Sequence, residues 1–374
     1  MNQPLRISVL GAGVWGRAVG TLAARRGHIV SLLHHTASGW GDIAEQLPTG
    51  ESQADTDTCE SDYSSEGAAA RLAMAGEQSS GPGPGGHVRR TMDYLLLALP
   101  VQHIRETLRH LPAPGAPVLG LSKGLEVRTG MRVSEVITQI WGERRVGALS
   151  GPTFATEIQR GMPAACVVAA EDETLAEAFQ DLLHQPSFRT YRSTDLKGVE
   201  LGGALKNVYA IACGVCAGLD LGESCQAALF TRCLAEMTRL GVNSGARAET
   251  FAGLSGVGDL HLTGMSQQSR NHRVGRLLAT VTADAGSESK GETSPKDSTA
   301  LTSETYLPAL QKVLAQLGGV AEGVPTTKSA YLNPLIPADS KPIVTEVYRL
   351  LYEGKDPRKA VRDLLGRSMK KEVY

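Results

Sequence analysis

The pattern of hydrophobic and polar residues changes character near residue 193. Before it, short apolar runs alternate with amphipathic stretches, which predicts strands separated by helices. The strand-like runs are 5–10, 29–33, 94–99, 117–121, 146–151, 165–170 and 188–192. This alternation is typical of a mostly parallel sheet that is covered by helices on both faces.

After residue 193 strand-like runs give way to helical patterns. These patterns cover 198–218, 223–241, 246–254, 270–280, 305–318, 340–352 and 356–366. We therefore predict an α/β domain over 1–195 and an all-helical domain over 196–374. Two stretches, about 50–90 and about 282–304, are rich in Gly, Ser, Thr and acidic residues and are predicted to be mobile surface insertions.

A glycine motif follows the first predicted strand and opens the first predicted helix. In GAGVWG, Gly11 permits a tight turn, Gly13 lets the backbone approach a pyrophosphate, and Gly16 lets the helix pack on the strand. The alternative is a glycine-rich turn that binds no ligand. The βαβ context favours a Rossmann-type, doubly wound sheet with a dinucleotide at the helix N-terminus.

The end of the second predicted strand bears on the choice of cofactor. An NAD-specific site usually has an acidic residue here, whereas this chain has His34 and His35 and no acid before Asp42. This leaves room for a 2′-phosphate, so we expect NADPH to be accepted. The alternative is that both histidines are ordinary surface residues.

Composition and charge narrow the classes of partner. The formal net charge is −1, which gives no general attraction to nucleic acid or anionic membranes. The strongly apolar run at 94–100 is far shorter than the roughly 20 residues of a membrane span, and the N-terminus does not resemble a secretory signal. We expect a cytoplasmic protein with no integral membrane segment and no nucleic-acid partner.

Cysteine and histidine spacing does not indicate a metal site. The six cysteines make no disulfide framework. Cys213 and Cys216 form a CxxC inside an apolar helical run, where buried core residues are the favoured interpretation and redox or metal chemistry is the alternative.

Polar residues stand at the ends of two later strands. Lys123 follows a strand in LSKGLE, where open α/β sheets bind ligands, although a surface lysine would have the same pattern. Gly151 and Thr153 follow another strand in LSGPTFATEI. The hydroxyl of Thr153 is predicted to cap the next helix, which is compatible with ligand contact.

Lys206 stands in an apolar helix among small residues, with Gly202, Gly203 and Ala210 at helical spacing. A buried, unpaired ammonium is costly, so we expect this lysine to face a cleft. The alternative is a lysine that extends to the surface. Asp259, in a glycine-rich turn, is predicted either to cap a helix or to take part in the site.

A cluster of donors stands at a predicted helix start. Ser269, Arg270 and Asn271 supply a hydroxyl, a guanidinium and an amide, with Arg273 and Arg276 nearby. Together with a helix N-terminus, these groups predict a phosphate site.

Taken together, the motifs resemble one family along nearly the whole chain, the NAD(P)-dependent glycerol-3-phosphate dehydrogenases. The matching segments are GAGVWG, SKGLE, SGPTFATEI, LGGALKNVYAIACG, TRCLAEMTRLG, GVGDLHLT, SRNHRVG, AEGVPTTK and LLGR. The two insertions depart from the family pattern but fall between motifs. The resemblance implies reversible hydride transfer between sn-glycerol 3-phosphate and dihydroxyacetone phosphate, which supplies glycerol phosphate for phospholipid synthesis.

The resemblance also implies roles for individual residues. Lys206 would be the general acid/base, and Asn207 would help to orient the reacting group. Substrate contacts would come from Lys123, Gly151, Thr153, Lys206, Asp259, Ser269, Arg270 and Asn271. Contacts with NADP or NAD would come from Gly11, Gly13, Val14, Trp15, Gly16, His34, His35, Lys123, Ala155, Arg270, Val320 and Glu322.

Two other functions compete with this interpretation. A dehydrogenase of the same architecture acting on a 3-hydroxy acid or a ketopantoate-like substrate would need a carboxylate clamp and would have little use for the cluster around Arg270. A dinucleotide-binding redox sensor would explain the glycine turn but not Lys206 beside Asn207 and Asp259. The sequence does not fix the oligomeric state and leaves a homodimer open.

Overall fold

A computed structural model describes most of the chain outside the predicted insertions. The described residues are 3–36, 39–43, 92–143, 145–285, 311, 314–315, 317, 320–333, 337–368 and 371. The predicted insertion at 50–90 therefore lies outside them. So do residues 286–304 of the second predicted insertion and most of the predicted helix at 305–318.

The chain divides into two compact units, which we call the sheet unit and the helical unit. The sheet unit contains Met1–Lys123 and Arg132–Val199, and the helical unit contains Gly124–Met131 and Glu200–Tyr374. The boundary between the two units, after Val199, falls slightly after the domain limit that we predict from the sequence at 195/196. Residues 124–131 belong to the helical unit. Those sequence-based domain limits stay a prediction.

The sheet unit is built on eight strands among the residues that the structure describes, in the order β3-β2-β1-β4-β5-β6-β7-β8. The strands are β1 Arg6–Leu10, β2 Ile29–Thr36, β3 Gly39–Ile43, β4 Tyr94–Leu97, β5 Val118–Gly120, β6 Val146–Ser150, β7 Ala164–Ala170 and β8 Phe188–Ser193. The pairs β2–β3 and β6–β7 are antiparallel, and the other neighbours are parallel. The predicted mostly parallel sheet is confirmed, with β3 as an unpredicted strand.

The order of the strands places a ligand crevice at β1 and β4. The chain proceeds from β1 outward to β2 and then returns to the other side of β1 at β4. Such a reversal opens a crevice at the carboxyl ends of the two strands. The helices of this unit are α1 Val14–Arg25, α2 Val101–Arg109, α3 Val133–Trp141, α4 Ala155–Gln159 and α5 Glu173–Leu183. Fully buried side chains such as Val9, Leu32 and Phe179 form the core between these layers.

The described part of the helical unit consists mainly of helices. These are α6 Leu196–Gly218, whose first turn belongs to the sheet unit, α7 Glu223–Asn243, α8 Ala248–Phe251, α9 Asp259–Met265, α10 Arg270–Ala285, α11 Gly323–Leu332, α12 Pro342–Tyr352 and α13 Pro357–Leu365. A π-helical turn, Leu254–Gly258, precedes α9.

Two sequence-based boundaries in this unit are wrong. The predicted helix at 246–254 is split between α8 and the start of the π-helical turn. The predicted insertion start at 282 falls inside α10, which continues to Ala285. No glycine or proline interrupts TVTADA before Gly286, so nothing in the local sequence ends the helix earlier.

Helix α6 is the centre of the helical unit. By length and by a mean hydropathy of 1.2 it could span a membrane, but 83% of that segment is buried inside the protein. A core helix has the same composition, and α6 packs with Met237, Phe251 and Val344 in one hydrophobic cluster. A Cβ on Gly214 would lie 2.0 Å from the carbonyl oxygen of His272. Helices α6 and α10 therefore cross in close contact.

Candidate active site

The glycine turn has the geometry that a dinucleotide site requires. Gly11 has a φ of +108°, and a Cβ there would lie 2.7 Å from the carbonyl oxygen of Ala98 on the loop after β4. A Cβ on Gly16 would lie 1.9 Å from the carbonyl oxygen of Gly11, so only glycine allows α1 to start this close to the turn. At Gly13, by contrast, a Cβ would meet no atom within 4 Å.

The N-terminus of α1 suits an anionic ligand. Gly13 is the N-cap residue, no side chain caps this helix end, and its first turn has no acidic residue. Gly13 and Val14 are exposed, with Val14 at 54%. The open space at Gly13 and the exposed first turn fit the pyrophosphate of NAD(P), which the helix N-terminus would stabilise.

Lys123 joins three predicted site residues in the sheet unit. Its ammonium donates to the carbonyl oxygen of Gly151 at 2.8 Å and to the hydroxyl of Thr153 at 3.3 Å. It also lies 5.8 Å from the ring centre of Trp15, whose indole N–H donates to the carbonyl oxygen of Leu121 at 2.9 Å. The structure therefore brings Lys123, Gly151, Thr153 and Trp15 together.

The predicted capping role of Thr153 is wrong. Helix α4 begins at Ala155 with Phe154 as its N-cap residue and has no side-chain cap. The hydroxyl of Thr153 instead donates to the carbonyl oxygen of Gly151 at 3.1 Å. The turn made by Gly151, whose φ is +130°, brings that carbonyl close to the hydroxyl, so local hydrogen bonding replaces capping.

His34 and His35 lie inside β2 rather than after it, because β2 runs to Thr36 and pairs with β3. The last pair between β1 and β2 joins Leu10 and Leu33, so both histidines lie beyond the carboxyl end of β1. Their side chains are outside the described part of the chain.

A buried ion pair forms the first polar cluster of the helical unit. The Lys206 ammonium lies 2.9 Å from Oδ1 of Asp259 and donates to the hydroxyl of Thr263 at 2.6 Å. Lys206 is 7% exposed and Asp259 1%. A carboxylate and a hydroxyl pair the ammonium, which offsets the cost of burying it, and the expectation that Lys206 faces a cleft stays a prediction.

Small residues and helical spacing produce this cluster. A Cβ on Gly202 would lie 2.5 Å from the carbonyl oxygen of Ser255, so α6 packs directly on the π-helical turn that leads into α9. Asp259 begins α9, and Thr263 stands one turn later on the same face. Sequence reasoning missed Thr263, although its spacing from Asp259 in DLHLT was the signal that could have found it.

A second polar cluster joins α6, α10 and α11. The amide nitrogen of Asn271 donates to Oδ1 of Asn207 at 2.8 Å, and its oxygen accepts from the backbone N–H of Gly323 at 2.9 Å. The Asn207 amide donates to the carbonyl oxygen of Gly203 at 3.3 Å. Both asparagines are buried, so this chain of hydrogen bonds fixes the start of α10 against α6.

The predicted helix start at Arg270 is confirmed. The hydroxyl of Ser269 accepts from the backbone N–H of His272 at 3.2 Å, as an N-cap does. Arg270 is exposed, and its guanidinium donates to the carbonyl oxygen of Val320 at 3.0 Å. Glu322 is the N-cap residue of α11, next to this contact in sequence.

In the described parts of both units, no group of three or more His, Cys, Asp or Glu side chains could hold a metal ion.

The fold and these clusters define the chain as a nucleotide-dependent dehydrogenase with a Rossmann-type unit and a helical unit. Models of the NAD-dependent glycerol-3-phosphate dehydrogenase N-terminus and C-terminus match residues 87–176 and 195–362. The chain therefore belongs to the NAD(P)-dependent glycerol-3-phosphate dehydrogenase family, an oxidoreductase family that uses NAD(P).

Full-length relatives agree with this assignment. A glycerol-3-phosphate dehydrogenase [NAD(P)+] of Syntrophotalea carbinolica is 38% identical over 99% of this chain and 100% of its own length. One from Geobacter sulfurreducens is 38% identical over 99% of each chain. The crystal structure of glycerol-3-phosphate dehydrogenase from Coxiella burnetii superposes with a TM-score of 0.71 at 26% identity, covering 97% of this chain and 99% of the other.

Proposed function

We propose that this chain interconverts dihydroxyacetone phosphate and sn-glycerol 3-phosphate, with Lys206 as the general acid/base. The observation that carries the proposal is a buried ammonium held by Asp259 and Thr263 in a member of this family. We place the reaction in the cytoplasm and expect its product to supply phospholipid synthesis. We also propose that the protein can form a homodimer.

Reduction of a ketone leaves negative charge on oxygen, which needs a nearby positive charge and a proton. Lys206 supplies both: its ammonium stabilises the developing charge and then donates a proton to that oxygen. In the other direction the neutral amine accepts the proton of the alcohol. Asp259 and Thr263 orient Nζ and favour its charged form, because a carboxylate at 2.9 Å stabilises an ammonium.

The residues that would hold the cofactor fit it chemically. The backbone of Gly11–Gly16 and the N-terminus of α1 would bind the pyrophosphate, and Val14 and Trp15 would contact the remainder of the molecule. When bound, the nicotinamide supplies or accepts the hydride. We also retain His34, His35, Lys123, Ala155, Arg270, Val320 and Glu322 as proposed contacts, and we expect NADPH to be accepted.

Arg270 is proposed to bind the substrate phosphate. The protein has a net charge of −1, so a phosphorylated substrate needs a local cation. Ser269 and Asn271 fix the helix start from which the exposed Arg270 extends. Lys123, Gly151 and Thr153 are proposed to complete the contacts with substrate.

The experiment compares dihydroxyacetone phosphate with dihydroxyacetone in NADPH- and NADH-oxidation assays. Arg270→Ala should lower kcat/KM for the phosphorylated substrate by about 10- to 100-fold, as expected for a lost charge-assisted contact of about 1.5–3 kcal/mol. The rate with dihydroxyacetone, which we expect to be low because it lacks the phosphate, should change far less.

Arg273→Ala is the matched control, because Arg273 is an exposed arginine on the same helix. It should leave the discrimination between the two substrates within a few-fold of the unmodified protein. If Arg270→Ala slowed both substrates by the same factor, Arg270 would act on the cofactor or the fold and the phosphate assignment would be wrong.

A further inference from the structure

Two thiols lie together where α6 ends and α7 begins, away from the residues of the proposed reaction. The sulfur atoms of Cys216 and Cys225 are 3.6 Å apart, and the S–H of Cys216 donates to the sulfur of Cys225. Cys216 is 2% exposed, whereas Cys225 is partly exposed in the first turn of α7. One thiol of the pair is therefore open to solvent, and its neighbour is protected.

The short connection between the two helices keeps these thiols close. Residues 219–222 reverse the chain, with Asp220 at a φ of 52° and Gly222 at 83°. The backbone N–H of Leu221 donates to the carbonyl oxygen of Cys216 at 3.4 Å, which ties the turn to the end of α6. A disulfide needs a sulfur separation of about 2.05 Å, so the sulfurs must approach by about 1.5 Å. We expect the partly exposed Cys225 side chain, in the first turn of α7, to move more than the buried side chain of Cys216.

We propose that Cys216 and Cys225 form a dithiol modification site, which a low-molecular-weight disulfide such as glutathione disulfide converts into an intramolecular disulfide. Cys225, as its thiolate, attacks one sulfur of the oxidant, and the first glutathione thiolate leaves and takes up a proton. Cys216 then loses its proton, and its sulfur displaces the second glutathione from Cys225. Two protein thiols and one glutathione disulfide give one protein disulfide and two glutathione thiols.

The environment sets the order of these steps. Cys225 reacts first because the oxidant can reach it, whereas Cys216 is covered. Burial, together with the hydrogen bond to Cys225, raises the pKa of the Cys216 thiol to about 12. Ring closure requires the covered Cys216 thiol to lose its proton, so its rate should rise as pH rises from 7 to 9.

The other described cysteines are protected from this reaction. Cys213 and Cys233 are 3% and 0% exposed, and burial raises the pKa of Cys233 well above its ordinary value. Cys166 is completely buried in the sheet unit, and its pKa is raised to about 12. Cys59 lies outside the described residues, so the test is made in a Cys59→Ser background.

The experiment treats the reduced full-length Cys59→Ser protein with glutathione disulfide at pH 8. Free thiols are then counted after denaturation. Two of the five remaining thiols should disappear and should return with dithiothreitol. Digestion with trypsin and a glutamate-specific protease, which cuts after Glu223, should yield fragments joined through Cys216 and Cys225.

Three further variants separate the two steps. Cys216→Ala should stop at a mixed disulfide with one glutathione on Cys225, and Cys225→Ser should lose no thiols. Cys213→Ala is the matched control, and its ring closure should proceed at the unmodified rate. The proposal is overturned if no thiols are lost, if the mixed disulfide persists while Cys216 is present, or if Cys225 joins another cysteine. None of these readouts depends on dehydrogenase activity.

Discussion

The sheet unit and the helical unit hold their candidate site residues by different means. In the sheet unit the backbone positions most of the candidate site: Gly11 and Gly16 shape the turn, and the carbonyl oxygen of Gly151 accepts a hydrogen bond from Lys123. In the helical unit side chains hold one another, as in Lys206 with Asp259. A site that is shaped by the backbone can be predicted from local sequence, because it needs glycines at fixed spacing. A side-chain site depends on tertiary packing that no local pattern specifies.

The largest effect should come from removing the charged centre of the helical unit. Lys206→Ala should lower kcat by about 10²–10⁴-fold, because the proton donor is gone. Binding of NAD(P)H, measured by fluorescence, should remain, because the Gly11–Gly16 turn is unchanged. A variant with near-normal turnover would remove Lys206 from the mechanism.

Lys341 provides the matched control for Lys206. It is also a buried lysine of the helical unit, but its ammonium donates to the backbone carbonyls of Ala330, Tyr331 and Asn333 at the end of α11. Lys341→Ala should therefore lower the Tm, while kcat of the folded protein stays within a few-fold. Equal losses of kcat in both variants would show that Lys206 acts through stability.

The next prediction separates folding from binding within the glycine turn. Gly16→Ala should lower the free energy of unfolding by about 3 kcal/mol or more, because its Cβ would lie 1.9 Å from the Gly11 carbonyl oxygen. Gly13→Ala should keep the Tm, since its Cβ would meet no protein atom, yet it should weaken NAD(P)H binding. Denaturant unfolding and cofactor titration measure the two quantities. If Gly13→Ala left the affinity unchanged, the pyrophosphate would not approach this residue.

The sequence predicts the sheet unit well because its elements carry local signals. Seven of its eight strands follow from apolar runs of the expected length. The missing one, β3, contains GWGDI, which has two glycines and an acidic residue and so lacks the β-branched pattern of a strand. It forms because its backbone pairs with β2, a tertiary contact that local sequence does not encode.

The helical unit is predicted less completely for a related reason. The sequence identifies Lys206 and Asp259 as candidates, but not as a pair, because they lie on different helices. Helix α11 was also missed: VPTTKSAYL begins with a proline and β-branched residues, which are weak helix formers. Packing of its buried face, including Val324 and Ala330, stabilises it instead.

Glu236 shows a further difference between the units, because the helical unit buries a carboxylate that caps a helix. Its side chain is 1% exposed and accepts the backbone N–H groups of Ile343 and Val344 at 2.9 Å each, at the start of α12. Burial raises the pKa of this carboxyl from 4.5 to about 7, although the two N–H groups and Arg239 favour its charged form. Desolvation therefore outweighs the hydrogen bonds.

This raised pKa predicts the direction in which stability changes with pH. Between about pH 4.5 and pH 7 the folded protein binds a proton at Glu236 that the unfolded chain has released, so the free energy of unfolding falls as pH rises through this window. One pKa unit corresponds to about 1.4 kcal/mol, so the total fall is about 3 kcal/mol.

Glu236→Gln, which cannot titrate, should lack this pH-dependent component of stability, even though it loses one acceptor at the start of α12. Urea unfolding of both proteins from pH 4.5 to pH 8 measures it: the free energy of unfolding of the unmodified protein minus that of Glu236→Gln should fall by about 3 kcal/mol as pH rises to about 7 and then stay constant. Parallel pH profiles for the two proteins would show that the hydrogen bonds from α12 compensate the burial of the charge. Lys206 and Asp259 alone would then distinguish the helical unit from the sheet unit, whose site is shaped mainly by the backbone.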